Sequence, residues 1–219
     1  MKNLKTMLCT LVAIVGLTTV SNASMLNGVY LEVGSSAIGV EAAGNHNDAQ
    51  SAVTTGAVGK TAVTGSYGLG VMLGKSNKLG LDVGYLITPG EAKLSSTSTS
   101  RTKKNVSLDI SDMTEMYIAP MINITDDASL YLKFGKNSTD LTTVGDVNKI
   151  SSMDGTTVAV GTVMSWGSNL YIRSEAGMTE YDSLKFTGLG TDADGVATTE
   201  SISVTPEVHY GKIAIGYKF

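Results

Sequence analysis

His209, Glu207 and Thr205 form the arrangement in this chain that comes nearest to a catalytic set. Two-residue spacing places all three on one side of an extended strand, so an imidazole base with an orienting carboxylate is geometrically available. The set lacks a nucleophile: Ser203 shares the parity but lies beyond Pro206, and nothing resembles a strand-to-helix nucleophile elbow. His46, the other histidine, stands far away in sequence. Asp192-Ala193-Asp194-Gly195 puts two carboxylates before a glycine, but it has neither the ligand spacing nor the closing bidentate Glu of a calcium loop. Cys9 is the single cysteine, so disulfide chemistry is excluded and a zinc site would have to do without thiolates. The expectation is therefore no catalytic residue, no cofactor and no metal.

A second set of charges is more regular. Glu32, Asp82, Asp109, Glu115, Lys133, Arg173, Glu175 and Lys212 each fall in a run where apolar residues occupy the opposite parity. Such charges face away from the apolar side of a strand. If that direction is an interior, they must be paired and hydrogen-bonded. Glu32, Asp82, Glu115, Lys133, Arg173 and Glu175 are read as one salt-bridged network with Arg173 at its centre.

The elements that must position these residues are strands. Eight runs alternate, at about 27–40, 61–75, 79–88, 105–121, 129–137, 156–166, 170–184 and 201–219. The third is the cleanest, with Leu79, Leu81, Val83, Tyr85 and Ile87 set against Gly80, Asp82, Gly84, Leu86 and Thr88. In the fourth, Val106, Leu108, Ile110, Met116 and Ile118 are expected outward. The sixth leaves its faces open. Pro206 in the eighth removes a ladder donor and predicts a bulge. Ser76-Asn77-Lys78, the stretch 123–128 and Gly167-Ser168-Asn169 read as tight turns. The stretches 41–60, 89–104, 138–155 and 185–200 read as long polar loops.

The two ends of the chain add a context. Lys2 and Lys5 precede an apolar run from Met7 to Val20, followed by Ser21-Asn22-Ala23. This is the pattern of a secretory signal cleaved after Ala23, too short for the ~20 residues of a spanning helix. Residues 1–23 are thus expected to be a cleaved signal and 24–219 one domain. Loss of Lys2 and Lys5 would leave 14 basic and 20 acidic residues, a net charge of −6, which argues against nucleic-acid binding. At the far end, Ile215, Tyr217 and Phe219 alternate with small or polar residues.

With these ends and alternating connection lengths, the chain resembles the small eight-stranded bacterial outer-membrane β-barrels of the OmpA/OmpX type. The resemblance implies an all-β, membrane-spanning, antiparallel up-and-down barrel, exported through a cleaved signal and placed in the outer membrane as a monomer. It implies outer-membrane lipid and lipopolysaccharide as surroundings. It also implies the barrel-assembly machinery as a partner that reads Tyr217 and Phe219. Tyr85, Phe134, Trp166, Tyr217 and Phe219 would supply aromatic girdles. An eight-stranded bore holds little beyond its own side chains, so the charges read as a plug. The expected role is structural or surface-interacting through four external loops and an external ligand there, with Arg101, Lys103 and Lys104 as a basic cluster in the second. A narrow porin-like channel is the alternative, and a lipid A-modifying enzyme using His209 the third reading.

Overall fold

The computed structural model describes residues 28–47, 53–76, 78–96, 106–144, 148–191 and 197–219. The expected signal, Arg101, Lys103, Lys104, Asp192 and Asp194 lie outside them, as do the side chains of His46 and Asp109. Every element among the described residues is a strand: β1 (Gly28–Asn47), β2 (Val53–Ser76), β3 (Leu79–Ser96), β4 (Val106–Asn123), β5 (Ala128–Val144), β6 (Ser152–Trp166), β7 (Leu170–Tyr181), β8 (Leu184–Thr191) and β9 (Ala197–Lys218). All pairings are antiparallel, and β1 closes on β9 from Tyr30↔Lys218 to Asn47↔Ser201. Phe219 N donates to Val29 O at 2.9 Å and completes the seam. β7 and β8 are successive halves of one stave, both paired to β9. The wall is therefore a closed eight-stranded barrel.

The alternation that forms the strands also sorts their faces. Leu31, Val33, Ile118, Leu132, Phe134, Val160, Trp166, Ile172, Ile213, Ile215 and Phe219 are exposed on the outside. On β6 this outward apolar run extends from Val158 to Trp166, the ~9–11 residues that cross a bilayer at a tilt. β6 also resolves the face the sequence left open: Met153, Thr157, Ala159 and Val163 point inward.

Three sequence expectations need correction. The polar stretches taken as long loops are largely strand. β1 pairs β2 out to Asn47↔Val53, β3 pairs β4 out to Ser96↔Val106, β5 pairs β6 out to Asp140↔Ser152, and β8 pairs β9 out to Thr191↔Ala197. Pro89-Gly90 is accordingly no turn but the site of a register shift within β3, where Gly90 takes φ +140. Second, Ile110 faces inward and is buried. A register shift between Ser111 and Thr114, with Asp112 at φ 49, reverses the parity of β4. One extra residue flips every side chain beyond it.

Third, the bulge assigned to Pro206 sits on the strand facing it. β9 runs through Pro206, paired with Ala42, without a shift. On the other side, Glu180↔Glu207 is followed by Leu184↔Val204, so three residues stand against two. The break at Asp182-Ser183 falls where Pro206 offers no N–H. It also exchanges the inward parity from Tyr181 to Leu184.

Above the outward apolar belt the wall divides. β2 pairs β3 only from Ser76↔Leu79 to Tyr67↔Ile87, and β6 pairs β7 only up to Gly155↔Tyr181. Beyond these points β2, β1, β9 and β8 make one sheet and β3 to β6 another. Thr64 Oγ1 donates to Pro89 O at 2.8 Å across the first seam. Asn148 closes the second: its N donates to Thr187 O at 3.0 Å and its Oδ1 accepts from Thr187 N at 2.6 Å.

Candidate functional site in the barrel interior

Inward positions in the lower half carry glycines, large polar residues and a smaller set of apolar ones, among them Met72, Leu86, Ala119, Met121 and Val163. Tyr30, Tyr117, Tyr131 and Tyr171 lean across Gly70, Gly84, Gly161 and Gly216 of neighbouring strands, where an added Cβ would overlap the ring or its hydroxyl. The missing side chains make room for the phenols to reach the axis. There they meet the charges.

Arg173 is fully buried. Its Nη2 donates to Asp82 Oδ2 at 2.7 Å. Its Nε lies 2.9 Å from Glu32 Oε2, an ion-pair contact off the hydrogen-bond axis. The rings of Tyr131, Tyr30 and Tyr171 surround the guanidinium, with centroids 5.2, 5.5 and 5.8 Å away, in cation–π range. Tyr30 OH donates to Asp82 Oδ1 at 2.9 Å and contacts Tyr117 OH at 2.6 Å. Tyr171 OH donates to Glu32 Oε2 at 3.0 Å, and Lys212 Nζ bonds Glu32 Oε1 at 3.0 Å.

A second node lies one strand row higher. Lys133 Nζ bridges Glu175 Oε1 at 2.5 Å and Glu115 Oε2 at 3.0 Å. Tyr131 OH and Tyr210 OH donate to Glu175 at 2.6 and 2.7 Å. The structure thus brings Glu32, Asp82, Glu115, Lys133, Arg173 and Glu175 into one interior layer. Three cations, Lys133, Arg173 and Lys212, meet four carboxylates there. Sequence reasoning did not place the tyrosines in this layer. Their inward parity was legible; their partners, strands away, were not.

Above this layer the interior turns apolar. Ile38, Val40, Ile110, Leu141, Met153, Tyr181, Leu184, Phe186 and Val208 pack together between the two splayed sheets. Tyr181 OH donates to Asn137 Oδ1 at 2.9 Å, and burial pushes its phenol up to about 12. Most of this cap was hidden in sequence because its residues sit singly among Ser, Thr, Gly and Asp, the composition of loops.

The remaining candidates are on the outside. His209 Nε2 lies 3.1 Å from Glu207 Oε1, with both side chains substantially exposed. The register neighbours of His209 are Gly39 and Met178, and those of Glu207 are Glu41 and Glu180. None of these is a hydroxyl nucleophile. Thr205 instead shares a 2.8 Å contact with Ser183. Tyr217 and Phe219 meet edge-on on the outer face, with centroids 5.1 Å apart.

A bore lined by ions and tyrosines within an apolar outer belt is a membrane barrel's arrangement. The fold is that of a small outer-membrane β-barrel. Among solved structures, the outer membrane protein OprG from Pseudomonas aeruginosa matches with TM-score 0.54 and 12% identity over 88% of this chain and 96% of that one. Weaker likenesses connect it to Ail, the attachment invasion locus protein of Yersinia pestis, in complex with the heparin analogue sucrose octasulfate (TM-score 0.43, 14% identity, 85% and 99% covered). Another is the outer membrane protease OmpT from Escherichia coli (TM-score 0.46, 10% identity, 92% and 99% covered). At such identities the likeness speaks to fold alone. No protein-family model matches the chain, and no curated protein does.

Proposed function

We propose that this chain is a non-catalytic outer-membrane barrel, closed across its bore, whose projecting double sheet presents a surface to the outside. The observation that carries the reading is an inversion along the axis. Where the outer face is apolar, the interior carries the buried ions and tyrosines beside a few apolar side chains; where the outer face carries Glu41, Asp140, Asp154, Glu180 and Asp182, the interior is the apolar cap. That is the pattern of a wall immersed in lipid below and water above.

The filled lower bore and the cap count against the narrow channel. The register partners of His209 and Glu207, none of which bears a hydroxyl, count against the lipid-modifying enzyme. Tyr217 and Phe219 remain the proposed assembly signal, and a cleaved segment through Ala23 the proposed export signal. The acidic outer face of the projecting sheets favours a cationic or neutral external partner over a polyanion.

Gel mobility with and without boiling, followed by conductance in a planar bilayer, tests the proposal. A heat-dependent band shift without steady current is expected. Steady conductance would make the channel the primary function. A chain that is soluble without detergent and shows no shift would sink the membrane placement.

A further inference from the structure

The interior layer does not balance its charge, and the shortfall has a location. Arg173 and Lys212 meet Glu32 and Asp82, two cations for two carboxylates. Lys133 alone meets Glu115 and Glu175. Lys212 also neighbours Glu175 in register, but however it is shared the layer holds three cations against four carboxylates. Lys218, three inward steps below Lys212 on β9, has no carboxylate partner among the described residues. A buried carboxylate without a counter-charge is costly, so the layer calls for one further positive charge.

The buried atoms without partners say where that charge belongs. Glu115 is 5% exposed. Its Oε2 accepts from Lys133, while its Oε1 is buried with no hydrogen-bond partner. That oxygen lies over Gly135, where an added Cβ would overlap it. Thr157 is the register partner of Gly135 on the next strand, and its Oγ1 shares a 2.8 Å contact with Thr179 Oγ1. Asn137 is the register partner of Glu115 itself. Beside a bare carboxylate oxygen thus stand neutral side chains that carry oxygen, a donor set that suits a hard cation. Nε and Nη1 of Arg173, also without hydrogen-bond partners, belong to the balanced node and lie among tyrosine rings. Among the described residues no three His, Cys, Asp or Glu side chains gather to hold a metal, and a shortfall of one charge asks for a monovalent ion.

Access comes from the first seam. Gly68, Leu86, Glu115 and Asn137 form one register row, and β2 leaves β3 immediately above it, after Tyr67↔Ile87. Ser66, the first inward residue of β2 past that last pair, carries another buried oxygen without a partner. An ion entering at the seam meets Ser66 first and the row of Glu115 next.

We propose that the bore seats a single sodium- or potassium-sized cation on Glu115 Oε1, beside Asn137 and the hydroxyls of Thr157 and Thr179. The proposal rests on the closed-bore reading and adds a bound ion to the plug.

Urea titration of the heat-modifiable band tests it, with Na+ or K+ replacing N-methylglucamine at constant chloride and ionic strength. One site predicts that the folding constant rises about tenfold for each tenfold increase of the cation above its Kd. The steeper response of the two names the ion. Glu115→Gln should abolish the dependence. In N-methylglucamine alone that variant should be at least as stable as the parent protein, because Lys133 keeps Glu175. Crystals grown with Rb+ should show an anomalous peak at Glu115 Oε1, a result that needs no variant to fold. No peak, no dependence on either cation, or a dependence that survives Glu115→Gln overturns the proposal. A dependence on pH alone gives the missing charge to a proton and overturns it as well. Heat-modifiable mobility separates these outcomes from loss of the barrel, and bilayer conductance remains the separate test of the closed bore.

Discussion

The two halves of the interior solve opposite problems with the same strands. Below, Glu32, Lys133, Arg173, Glu175 and Lys212 point inward while Leu31, Leu132, Ile172, Ile213 and Ile215 face out. Above, Val40, Leu141, Met153, Phe186 and Val208 point inward, while Glu41, Asp140, Asp154 and Lys185 face out. Apart from the re-phasing at Asp112 and Asp182-Ser183, the alternation runs through both halves and the residue classes exchange. Below, the hydrophobic effect does little work toward the axis, where a small cluster with Met72, Leu86, Met121 and Val163 packs among the tyrosines, because lipid already accommodates apolar side chains. The lower interior must then be held by paired ions and hydrogen bonds, each exposed to the cost of an unpaired buried group. The upper half, standing in water, is held as a soluble domain is, by burying an apolar core between two sheets.

Mutations should therefore fail differently in the two halves. The largest effect is expected at Arg173. Arg173→Met leaves Glu32 and Asp82 without their central counter-charge and should cost about 3–5 kcal/mol. Urea titration of the heat-modifiable band in detergent would measure it. If the loss is under about 1 kcal/mol, the lower half is not held by its ions.

Next comes the cap. Phe186→Ala removes a side chain that is 4% exposed and should cost about 3 kcal/mol. Amide exchange should speed up in the upper ends of β1, β8 and β9 while β3 and β7 stay protected. Deleting Ser183 sharpens the same point: it removes the bulge and turns Leu184 and Phe186 outward, so it should reproduce the loss without deleting any apolar atom.

The boundary between the halves can be located from outside. Val160→Arg, in the middle of the outward belt, should cost about 2–4 kcal/mol in vesicles. Asp154→Arg, six residues earlier on the same face of the same strand, should stay within about 0.5 kcal/mol. Equal costs would mean the belt does not mark the lipid.

The smallest of the expected losses is at Tyr181. Its phenol is pushed up to about 12 from 10.0, so the folded state favours the protonated form. That contribution is fully present below pH 10.0 and lost as pH rises through about 12. Tyr181→Phe should cost about 1 kcal/mol at neutral pH, for the bond to Asn137. It should also flatten the alkaline decline of stability between those two values.

Much of the lower half was legible in the chain. Period-2 alternation is a local property, so the outward belt, the inward set of charges and the closing strand at Ile215, Tyr217 and Phe219 could each be read from a few neighbours. The upper half was not legible for the same physical reason. Its outer face needs no large apolar residues in water, so Thr, Ser, Gly and Asp mask strands as loops, and the cap residues appear singly.

The sequence by itself determined which residues share a face within an unbroken run, because side chains alternate wherever the backbone is extended. Only the tertiary structure decided which of them meet. Arg173 finds Asp82 across 91 positions and Lys212 finds Glu32 across 180, and those encounters depend on strand register. The shifts at Gly90, Asp112 and Asp182-Ser183 re-phase whole strands by a single residue. A one-residue change of phase leaves almost no trace in composition, yet it decides whether Ile110, Leu184 and Phe186 face water or the core.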